Sequence, residues 1–343
     1  GGETSSPVEN RTFEWDGTRW EQKSTTGPSA RMGQQMVYDS ARGVVVLFGG
    51  SLNDDTWEWN GSTWTQRFPA HHPGGRYLHS MAYDSLRHVT VLFGGWGTPA
   101  YTLTDETWEW DGNDWTLREP VNKPSARNTV GMAFDSARGV TVIFGGNNGG
   151  SLDETWEWDG TNWTLRNPEH KPLPADRRAL AYDAARQVTV LMTYHIGDYD
   201  VRYPETWEWN GTDWTQRSAS ASPGSRDLPA MAYDNSAQRV LVVDGYDYNA
   251  GGHASDLWSW DSAGGTWHED FNTPPLRAYT SMVYDASRNV TVLYGGSRPW
   301  YGGSLSLSDT WEENGNRWIR REPANSPPAV SSHGMAYDSL RQV

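Results

Sequence analysis

The sequence predicts an all-β fold, a seven-bladed β-propeller of four-stranded antiparallel blades, on three observations. The dipeptide Tyr/Phe-Asp recurs seven times at spacings of 45 to 53 residues, and a period near 50 indicates a repeat architecture. In most units the dipeptide precedes an apolar run, a Gly-rich break and two short Trp-rich segments. Nineteen of the 21 Trp residues occupy repeating positions. The Asp residues of the dipeptide are Asp39, Asp84, Asp135, Asp183, Asp234, Asp285 and Asp338.

One unit shows how the strands of a blade are predicted. The expected strands of the first unit are 34–38, 44–48, 56–59 and 63–67. The second strand is apolar throughout, as expected of a strand that is buried on both faces. Asn60-Gly61 between the last two strands is a strong hairpin signal. A four-stranded meander cannot cover its own faces, so seven of them are expected to pack around an axis with Trp side chains between the sheets.

The two ends of the chain are expected to share the seventh blade. Gly1-Gly2 is in register with Gly49-Gly50, whereas the C-terminus stops inside what should be a second strand, about four residues short of the repeat. The seventh blade is therefore expected to be the weak joint, and the chain to be an excised part of a larger protein. The predicted blades of this single domain, 1–343, are 31–68, 76–119, 127–167, 177–217, 226–269, 277–322 and 330–343 together with 1–22.

Composition limits the possible partners. The formal net charge is −15 and the pI is near 5.0, which argues against a nucleic-acid partner because phosphate binding needs clustered Lys and Arg. No apolar run approaches the roughly 18 residues that span a bilayer, so membrane insertion is not expected. The chain has no Cys, which excludes disulfides and thiolate metal sites. No cofactor is predicted.

The unit resembles the kelch motif over the whole chain. The shared features are the Gly-Gly after an apolar strand, the aromatic residue on the third strand and the Trp on the fourth. The form Asp/Glu-Thr-Trp-Glu-Trp-Asp/Asn-Gly is similar to that of bacterial extracellular kelch proteins, which implies an extracellular or cell-surface location, and we expect a monomer. Galactose-oxidase-like chemistry needs a Tyr crosslinked to Cys and is excluded. The Glu, Asp and His spacing of nitrile-specifier-like proteins is absent, whereas a sialate-mutarotase-like pocket has no crisp motif and stays open.

Variable loops predict the ligand-binding face. The loops after Gly-Gly and between blades differ from unit to unit, and binding is usually carried by variable loops on a repeated scaffold. Units four and five abandon the Gly-Gly rule at Met192-Thr193-Tyr194-His195 and Val243-Asp244-Gly245-Tyr246. The candidate ligand-binding residues are Trp96, Tyr101, Tyr194, His195, Asp198, Tyr199, Asp200, Tyr246, Asp247, Tyr248, His253, Arg298, Trp300 and Tyr301.

The candidate residues combine aromatic rings with carboxylates. Such a set suits a sugar, or a cation held by cation–π contact and charge. Calcium is a weaker expectation, because the acidic residues lack an EF-hand spacing. The oxygens that calcium would use belong to Asp198, Asp200, Asp244 and Asp247.

An Arg is expected to enter the innermost strand of six blades, near the mouth of the channel. The residues are Arg31, Arg76, Arg127, Arg177, Arg226 and Arg277, whereas blade seven has Val330. The structural interpretation pairs each with an acid such as Asp55 or Glu106. The functional interpretation is a basic ring that receives an acidic ligand.

Three functions are consistent with these patterns. The first is a non-catalytic binding module whose ligand is a carbohydrate or a protein. The second is a carbohydrate-active enzyme, a lyase, mutarotase or hydrolase, with a His, Tyr and Arg pocket on the same face. The third is a structural spacer in a larger secreted protein.

Overall fold

The computed structural model describes residues 10–343, apart from 99, 176–178, 218–220, 227–228, 235–236, 244, 248, 250–251, 254–255, 262–263, 271–273, 276, 278, 301–302 and 315–316. Within this part of the chain the fold is all-β, and its one helical element is the 3₁₀ turn Asp198–Asp200. The side chains at 246, 253, 270, 299, 300 and 304 are also outside the description.

Six four-stranded antiparallel meanders, consistent with propeller blades, make up most of the molecule. Sheet one comprises Gln35–Asp39, Val44–Phe48, Thr56–Trp59 and Trp64–Arg67. Sheet two comprises Ser80–Asp84, Val89–Phe93, Thr107–Trp110 and Trp115–Arg118. Sheet three comprises Gly131–Asp135, Val140–Phe144, Thr155–Trp158 and Trp163–Arg166. Sheet four comprises Leu180–Asp183, Val188–Ile196, Arg202–Trp209 and Trp214–Arg217. Sheet five comprises Ala230–Asp234, Arg239–Val243, Leu257–Asp261 and Thr266–Asp270. Sheet six comprises Ser281–Asp285, Val290–Tyr294, Thr310–Glu313 and Trp318–Arg321.

Smaller strands form at the ends of the chain and in the loops. A terminal sheet pairs Thr12–Trp15 with Trp20–Ser24. The short loop strands are Arg76–Tyr77, Trp96–Gly97 and Thr102–Leu103, then Tyr246–Asp247 paired with Gly252–His253, and Ser297–Trp300 paired with Gly303–Ser306.

Trp side chains fill the space between successive sheets, as the sequence predicts. The rings of Trp110 and Trp115 in sheet two pack with Val46 and Phe48 of sheet one. Their indole N–H groups donate back to sheet one, to Glu58 Oε1 at 2.9 Å and to Thr56 Oγ1 at 2.8 Å. Because a large ring fills the gap and its one donor is satisfied at the edge, the same residue supplies both packing and register.

The buried Glu of the Trp-Glu-Trp segment is held toward the end of the sheet that lies opposite the Gly-Gly break. Glu58 accepts hydrogen bonds from Arg42 Nη1 at 2.5 Å and from Arg67 Nε at 2.7 Å, in addition to the Trp110 bond. Asp39 shapes the preceding turn, since its Oδ1 accepts from the backbone N–H of Arg42 at 3.0 Å. The carboxylate is thus paired on all sides, which is what its burial requires.

The terminal sheet contacts both sheet six and sheet one. Trp15 Nε1 donates to Glu312 Oε1 at 2.6 Å, and Trp59 Nε1 of sheet one donates to Glu14 Oε1 at 2.9 Å. At the other end of the chain, Arg341 pairs with Glu14, and the N–H of Leu340 donates to Tyr38 Oη at 3.2 Å.

The inner strands expected for blade seven differ from the other sheets. In the described part of the chain, residues 334–338 form no strand, and the terminal sheet has two strands rather than four. The physical reason is that a strand needs a hydrogen-bonded neighbour on its edge. The chain places only Val343 at the position that begins the second strand in sheet one, where the N–H of Asp338 donates to the carbonyl of Val343 at 2.9 Å.

Candidate functional site

The arginines predicted at the channel mouth are buried and paired with carboxylates. Arg31 Nη1 and Nη2 lie 2.5 and 2.8 Å from the two carboxylate oxygens of Asp55, and Nη1 also donates to the carbonyl of Gly49 at 3.0 Å. The equivalent pairs are Arg76 with Glu106, Arg127 with Glu154, Arg226 with Asp256, and Arg277 with Asp309. Each side chain is at most 2% exposed. These guanidinium groups therefore hold the Gly-Gly break to the third strand rather than facing solvent.

The pKa of the paired acids reflects this arrangement. Burial alone would raise the pKa of Asp55, but hydrogen bonds from Arg31 and Trp57 outweigh it and keep the pKa below its ordinary value. Hydrogen bonds from Arg277 and Trp311 likewise outweigh the effect of burial and lower the pKa of Asp309. Carboxylates that stay ionised in the interior can serve as permanent anchors for the guanidinium groups.

Among the described residues, sheet four has no Arg at this position. Arg177, the expected residue, lies outside the described part of the chain, and the backbone pattern puts Ala175 in the equivalent position. The N–H of Ala175 donates to the carbonyl of Leu152, as the N–H of Arg127 does to that of Thr104. Arg177 stands two residues beyond Ala175 in the sequence. The prediction of Arg177 for this position is therefore two residues too far along the chain.

His195 pairs with Glu205, whose equivalent acids in the other sheets pair with an Arg. Its Nδ1 lies 2.7 Å from Glu205 Oε1, and the other carboxylate oxygen of Glu205 accepts from Trp207 Nε1 at 2.8 Å. Glu205 is the sheet-four counterpart of Asp55 in the repeat. A loop residue that the sequence singled out for ligand binding therefore has a structural partner of its own.

Sheet four extends further from the molecule than its neighbours. Its two central strands stay paired through Thr193↔Glu205, Tyr194↔Pro204, His195↔Tyr203 and Ile196↔Arg202. In sheet one the ladder stops at Phe48, and Gly49 and Gly50 then turn the chain with φ of 68° and 83°. Sheet four has Thr193 and Tyr194 instead, so the strands continue for four further pairs, about 13 Å at 3.3 Å per residue. Residues 193–205 are named the sheet-four hairpin.

The sheet-four hairpin presents aromatic and apolar side chains to solvent. The rings of His195 and Tyr203 stack at 5.0 Å and 18°, and the guanidinium of Arg202 lies 5.4 Å from the ring centre of Tyr194. At the tip, Tyr199 is 98% exposed and Ile196 is 56% exposed. Such exposed apolar residues are typical of a contact surface.

The backbone at the tip adopts a rare conformation. Tyr199 and Asp200 both have positive φ, 58° and 59°, in the left-handed region that favours glycine. Two non-glycine residues in succession there cost about 1–3 kcal/mol each. Asp198 and Asp200 are exposed on either side of Tyr199.

A loop of sheet five braces the hairpin. The N–H of Arg202 donates to Asn249 Oδ1 at 2.8 Å, and Asn249 Nδ2 donates back to the carbonyl of Arg202 at 2.5 Å. Asp247 fixes this Asn by accepting from its backbone N–H at 2.8 Å. Asn249 thus pairs with the hairpin edge as a neighbouring strand would.

The loops of sheets five and six lie beside each other. The short strand Gly252–His253 runs close to Ser297–Trp300 of sheet six. Arg298 is exposed there. The side chains of Tyr246, His253 and Trp300 lie outside the described set, as do Tyr248, Tyr301 and Asp244 altogether.

The candidate residues of sheet two belong to a separate small sheet. Trp96 pairs with Tyr77 and Leu103 in a small three-stranded sheet. Tyr101, at the turn of that sheet, is 65% exposed with φ of 52°. The structure therefore divides the predicted set into a sheet-two part and a part formed by sheets four to six.

Sequence reasoning missed several residues of the sheet-four hairpin. Ile196, Val201, Arg202, Tyr203 and Asn249 form or brace it. The sequence feature that indicates this hairpin is the loss of Gly-Gly, together with an alternation of apolar and polar residues that continues on both sides of Gly197.

The described residues contain no group of three or more His, Asp or Glu placed to hold a metal ion. Asp198, Asp200 and Asp247 are among the described residues, and Asp244 is not. No described helix is long and apolar enough to cross a bilayer.

Comparison with known proteins assigns neither a family nor a relative. No protein-family model matches the chain, and no curated protein matches it at a significant level.

Proposed function

We propose that the chain is a non-catalytic recognition protein that binds a protein ligand through the sheet-four hairpin and the loops of sheets five and six. The observation that carries this proposal is the projecting ladder at 193–205 with Ile196, Tyr199 and Tyr203 exposed. An extended, braced hairpin with exposed aromatic and aliphatic side chains suits a groove on another protein, because Tyr anchors contribute large contact area at low entropic cost.

The proposal includes the scaffold on which the hairpin stands. We propose a closed seven-bladed propeller of the kelch type, located outside the cell or at its surface, and monomeric. The six meanders, the recurring Trp contacts and the contacts of Glu14 with Trp59 and Arg341 support this arrangement. Rigid sheets of this kind hold variable loops in fixed positions.

A second candidate function is favoured by the His195–Glu205 pair. A carboxylate bonded to Nδ1 orients an imidazole as a general base requires, and Tyr203 stacks on the ring. A carbohydrate-active enzyme would use this group. One feature weighs against it, because Glu205 stands at the position of a repeated scaffold acid.

The test selects ligands without assuming their identity. The full chain is panned against a displayed random-peptide library and, separately, applied to a glycan array. Selected peptides should lose at least about 30-fold in affinity with Tyr199→Ala or Ile196→Asp, the loss expected of an anchor worth 2 kcal/mol. Tyr101→Ala is the matched control, since it removes another exposed Tyr with a positive φ, from the loop of sheet two.

Two outcomes would overturn the proposal. Peptide binding that is insensitive to both hairpin variants would place the contact surface elsewhere. Turnover of an array glycan that is abolished by His195→Gln, with hairpin-independent peptide binding, would favour the enzyme.

A further inference from the structure

His79 is a titratable side chain that is buried at the junction of sheets one and two. It immediately precedes the first strand of sheet two, Ser80–Asp84, and is 1% exposed. Its ring stands edge-on to the ring of Phe48, with the ring centres 5.8 Å apart. Among the described residues, neither ring nitrogen of His79 has a hydrogen-bond partner of good geometry. Burial of a polar group in this way is costly, which makes His79 an unusual core residue.

The repeat shows that the fold does not require a His at this position. The equivalent residues, five positions before the Asp of each Tyr/Phe-Asp dipeptide, include Gln34 in sheet one, Val130 in sheet three and Thr280 in sheet six. Val130 is 7% exposed and packs in the apolar cluster between sheets two and three. An apolar side chain therefore fills the same place at the next junction, whereas the imidazole of His79 adds a group that can become charged.

His79 packs against the turn that ends the second strand of sheet one. A Cβ added to Gly49, which has φ of 68°, would lie 2.9 Å from His79 Cε1 and 2.8 Å from the carbonyl oxygen of Arg76. The N–H of Gly50 donates to the same carbonyl at 2.8 Å. The imidazole therefore lies directly against the place where this hydrogen bond joins the two sheets. This contact between the Gly49–Gly50 turn and residues 76–79 is named the His79 seam.

The charged groups around the His79 seam are arginines that already have acids of their own. Arg76 lies three residues before His79, and Arg31 Nη1 donates to the carbonyl of Gly49 at 3.0 Å. On the side of sheet three, the carbonyl of Arg127 accepts from the N–H of Gly95 at 2.9 Å. The ion pairs are Arg31 with Asp55, Arg76 with Glu106 and Arg127 with Glu154. Protonation of His79 would therefore add a cation where the acids are already paired.

This environment sets the direction in which acid acts on the seam. Burial, and then the charge of Arg76, lower the pKa of His79 to about 3, although the backbone of Phe48 acts in the opposite direction. An imidazole released into water would return to its ordinary pKa of 6.5. The open state therefore binds a proton that the closed state excludes. The closed state keeps its full advantage above pH 6.5 and loses it as pH falls from 6.5 toward 3.

We propose that His79 is an acid-sensitive lock, whose protonation opens the His79 seam and loosens the small loop sheet of sheet two. This loop sheet comprises Arg76–Tyr77, Trp96–Gly97 and Thr102–Leu103. It depends on the seam because its strand Arg76–Tyr77 carries the carbonyl to which Gly50 donates. Since the loop sheet also carries Trp96 and ends in the exposed turn at Tyr101, the lock would control how this loop is presented to a ligand.

Amide hydrogen exchange of the full chain at pH 7.5 and pH 5.0 tests the lock. After correction for the intrinsic pH dependence of exchange, the opening constant at Gly50 should rise about 30-fold at the lower pH, the ratio that pKa values of 6.5 and about 3 give by linkage. The N–H of Gly146 makes the equivalent bond, to the carbonyl of Ala175, at the junction of sheets three and four. Its opening constant should change less than about threefold, because opening is local.

Two substitutions at His79 and one elsewhere identify the titrating group. His79→Val, which introduces the residue that sheet three has at this position, should keep the protection of Gly50 at pH 7.5 and abolish the rise at pH 5.0. His79→Gln, which introduces the residue of sheet one, should do the same and provides a second variant if the first does not fold. His88→Asn, at an exposed position, is the matched control and should retain the full rise.

Three results would overturn the proposal. Equal rises at Gly50 and Gly146 would show general acid unfolding rather than a lock at one seam. A rise that persists in both His79 variants would assign the effect to another group. Titration of the His79 ring near pH 6.5 by NMR, without opening at Gly50, would show that the closed seam accepts the charge. Binding by the sheet-four hairpin does not enter this test.

Discussion

At the scale of single residues, buried charges in this protein are organised by repetition. Glu109 accepts from Arg87, from Arg118 at 2.8 Å and from Trp158 at 2.7 Å, although only 2% of the residue is exposed. A buried carboxylate is tolerated only with such complete pairing. One acid therefore joins two strands of its own sheet to the Trp of the next.

We predict that Glu109→Gln destabilises the protein strongly. The substitution removes the buried carboxylate that Arg87 and Arg118 share and leaves Arg87 with Asp84 alone, and the loss of hydrogen bonds to a charged group typically costs about 1.5–3 kcal/mol. Chemical denaturation should show a loss of this size in the free energy of unfolding, and Glu119→Gln, at an exposed position, should show almost none. A change below about 1 kcal/mol for Glu109→Gln would contradict the role assigned to the carboxylate.

A second prediction concerns pH and two exposed residues. His170 Nδ1 lies 2.8 Å from Asp213 Oδ2, and the N–H of His170 donates to Asp213 Oδ1 at 2.9 Å. The hydrogen bond that His170 donates to the Asp213 carboxylate raises the pKa of His170, and the same bond lowers the pKa of Asp213. The His contribution is present below the ordinary pKa of 6.5 and is lost as pH rises, and the Asp contribution is present above 3.8 and is lost as pH falls.

His170→Ala should therefore lower the melting temperature near pH 5.5 and leave it nearly unchanged at pH 9. Calorimetry at the two pH values measures this difference. His88→Asn, at an exposed position with positive φ, serves as the control and should show no such pH dependence. An equal effect of His170→Ala at both pH values would mean that the contact is not ionic.

At the scale of elements, sheet four shows how one change in the repeat is compensated by another. Ala175 replaces the Arg of the other sheets, His195 pairs with Glu205, and the Gly-Gly turn becomes a continuous ladder. The three changes belong together, because a ladder that continues past Met192 is what brings His195 opposite Tyr203 and near the acid.

This interdependence predicts a specific rescue. His195→Ala removes one donor from Glu205 and should lower the free energy of unfolding by about 1 kcal/mol, the usual net contribution of a hydrogen bond. Ala175→Arg in that background supplies the guanidinium that the other sheets use and should recover most of the loss in a denaturation experiment. If Ala175→Arg destabilises the His195→Ala protein further, Ala175 does not occupy the Arg position.

Strands and their packing could be predicted from the sequence because each depends on local signals that recur. The apolar run at Val44–Phe48 and the Asn60-Gly61 turn specify their elements within a few residues, and the structure has the strands there. The ion pairs of Arg31 and Arg76 followed from repetition as well.

What could not be predicted depends on contacts between distant positions. In sheet five Ser259 replaces the repeated Glu, and in sheet six Glu313 replaces a repeated Trp, where it pairs with Arg239 of sheet five at 2.5 Å. Each change looks like drift in its own unit, and only the packing of the two sheets joins them. The brace of Asn249 on Arg202 is of the same kind, since it links residues 47 apart.

At the scale of the whole molecule, one contact series runs from sheet to sheet and includes the terminal segments. The Arg in the first turn of one sheet lies against the hairpin Gly of the next sheet along the chain: Arg42 against Gly112, Arg87 against Gly160 and Arg138 against Gly211. The series continues with Arg288 against Gly17 and Arg341 against Gly61. An added side chain at these glycines would meet the guanidinium, which explains why Gly follows Asn or Asp in these hairpins.

The last two contacts of this series join the terminal segments to sheets six and one. Substitution of Arg341 therefore tests the proposed closure of the ring. Arg341 bonds Asp338 and Glu14 as Arg87 bonds Asp84 and Glu109, and the two side chains are 25% and 29% exposed. In a closed ring, Arg341→Ala should lower the free energy of unfolding by about 2 kcal/mol, as Arg87→Ala should, because both remove hydrogen bonds to charged groups. In an open arc the C-terminal segment would hang free, and Arg341→Ala would be neutral while Arg87→Ala kept its full effect. Denaturation of the two variants side by side therefore decides whether residues 330–343 and the terminal sheet act as a seventh blade.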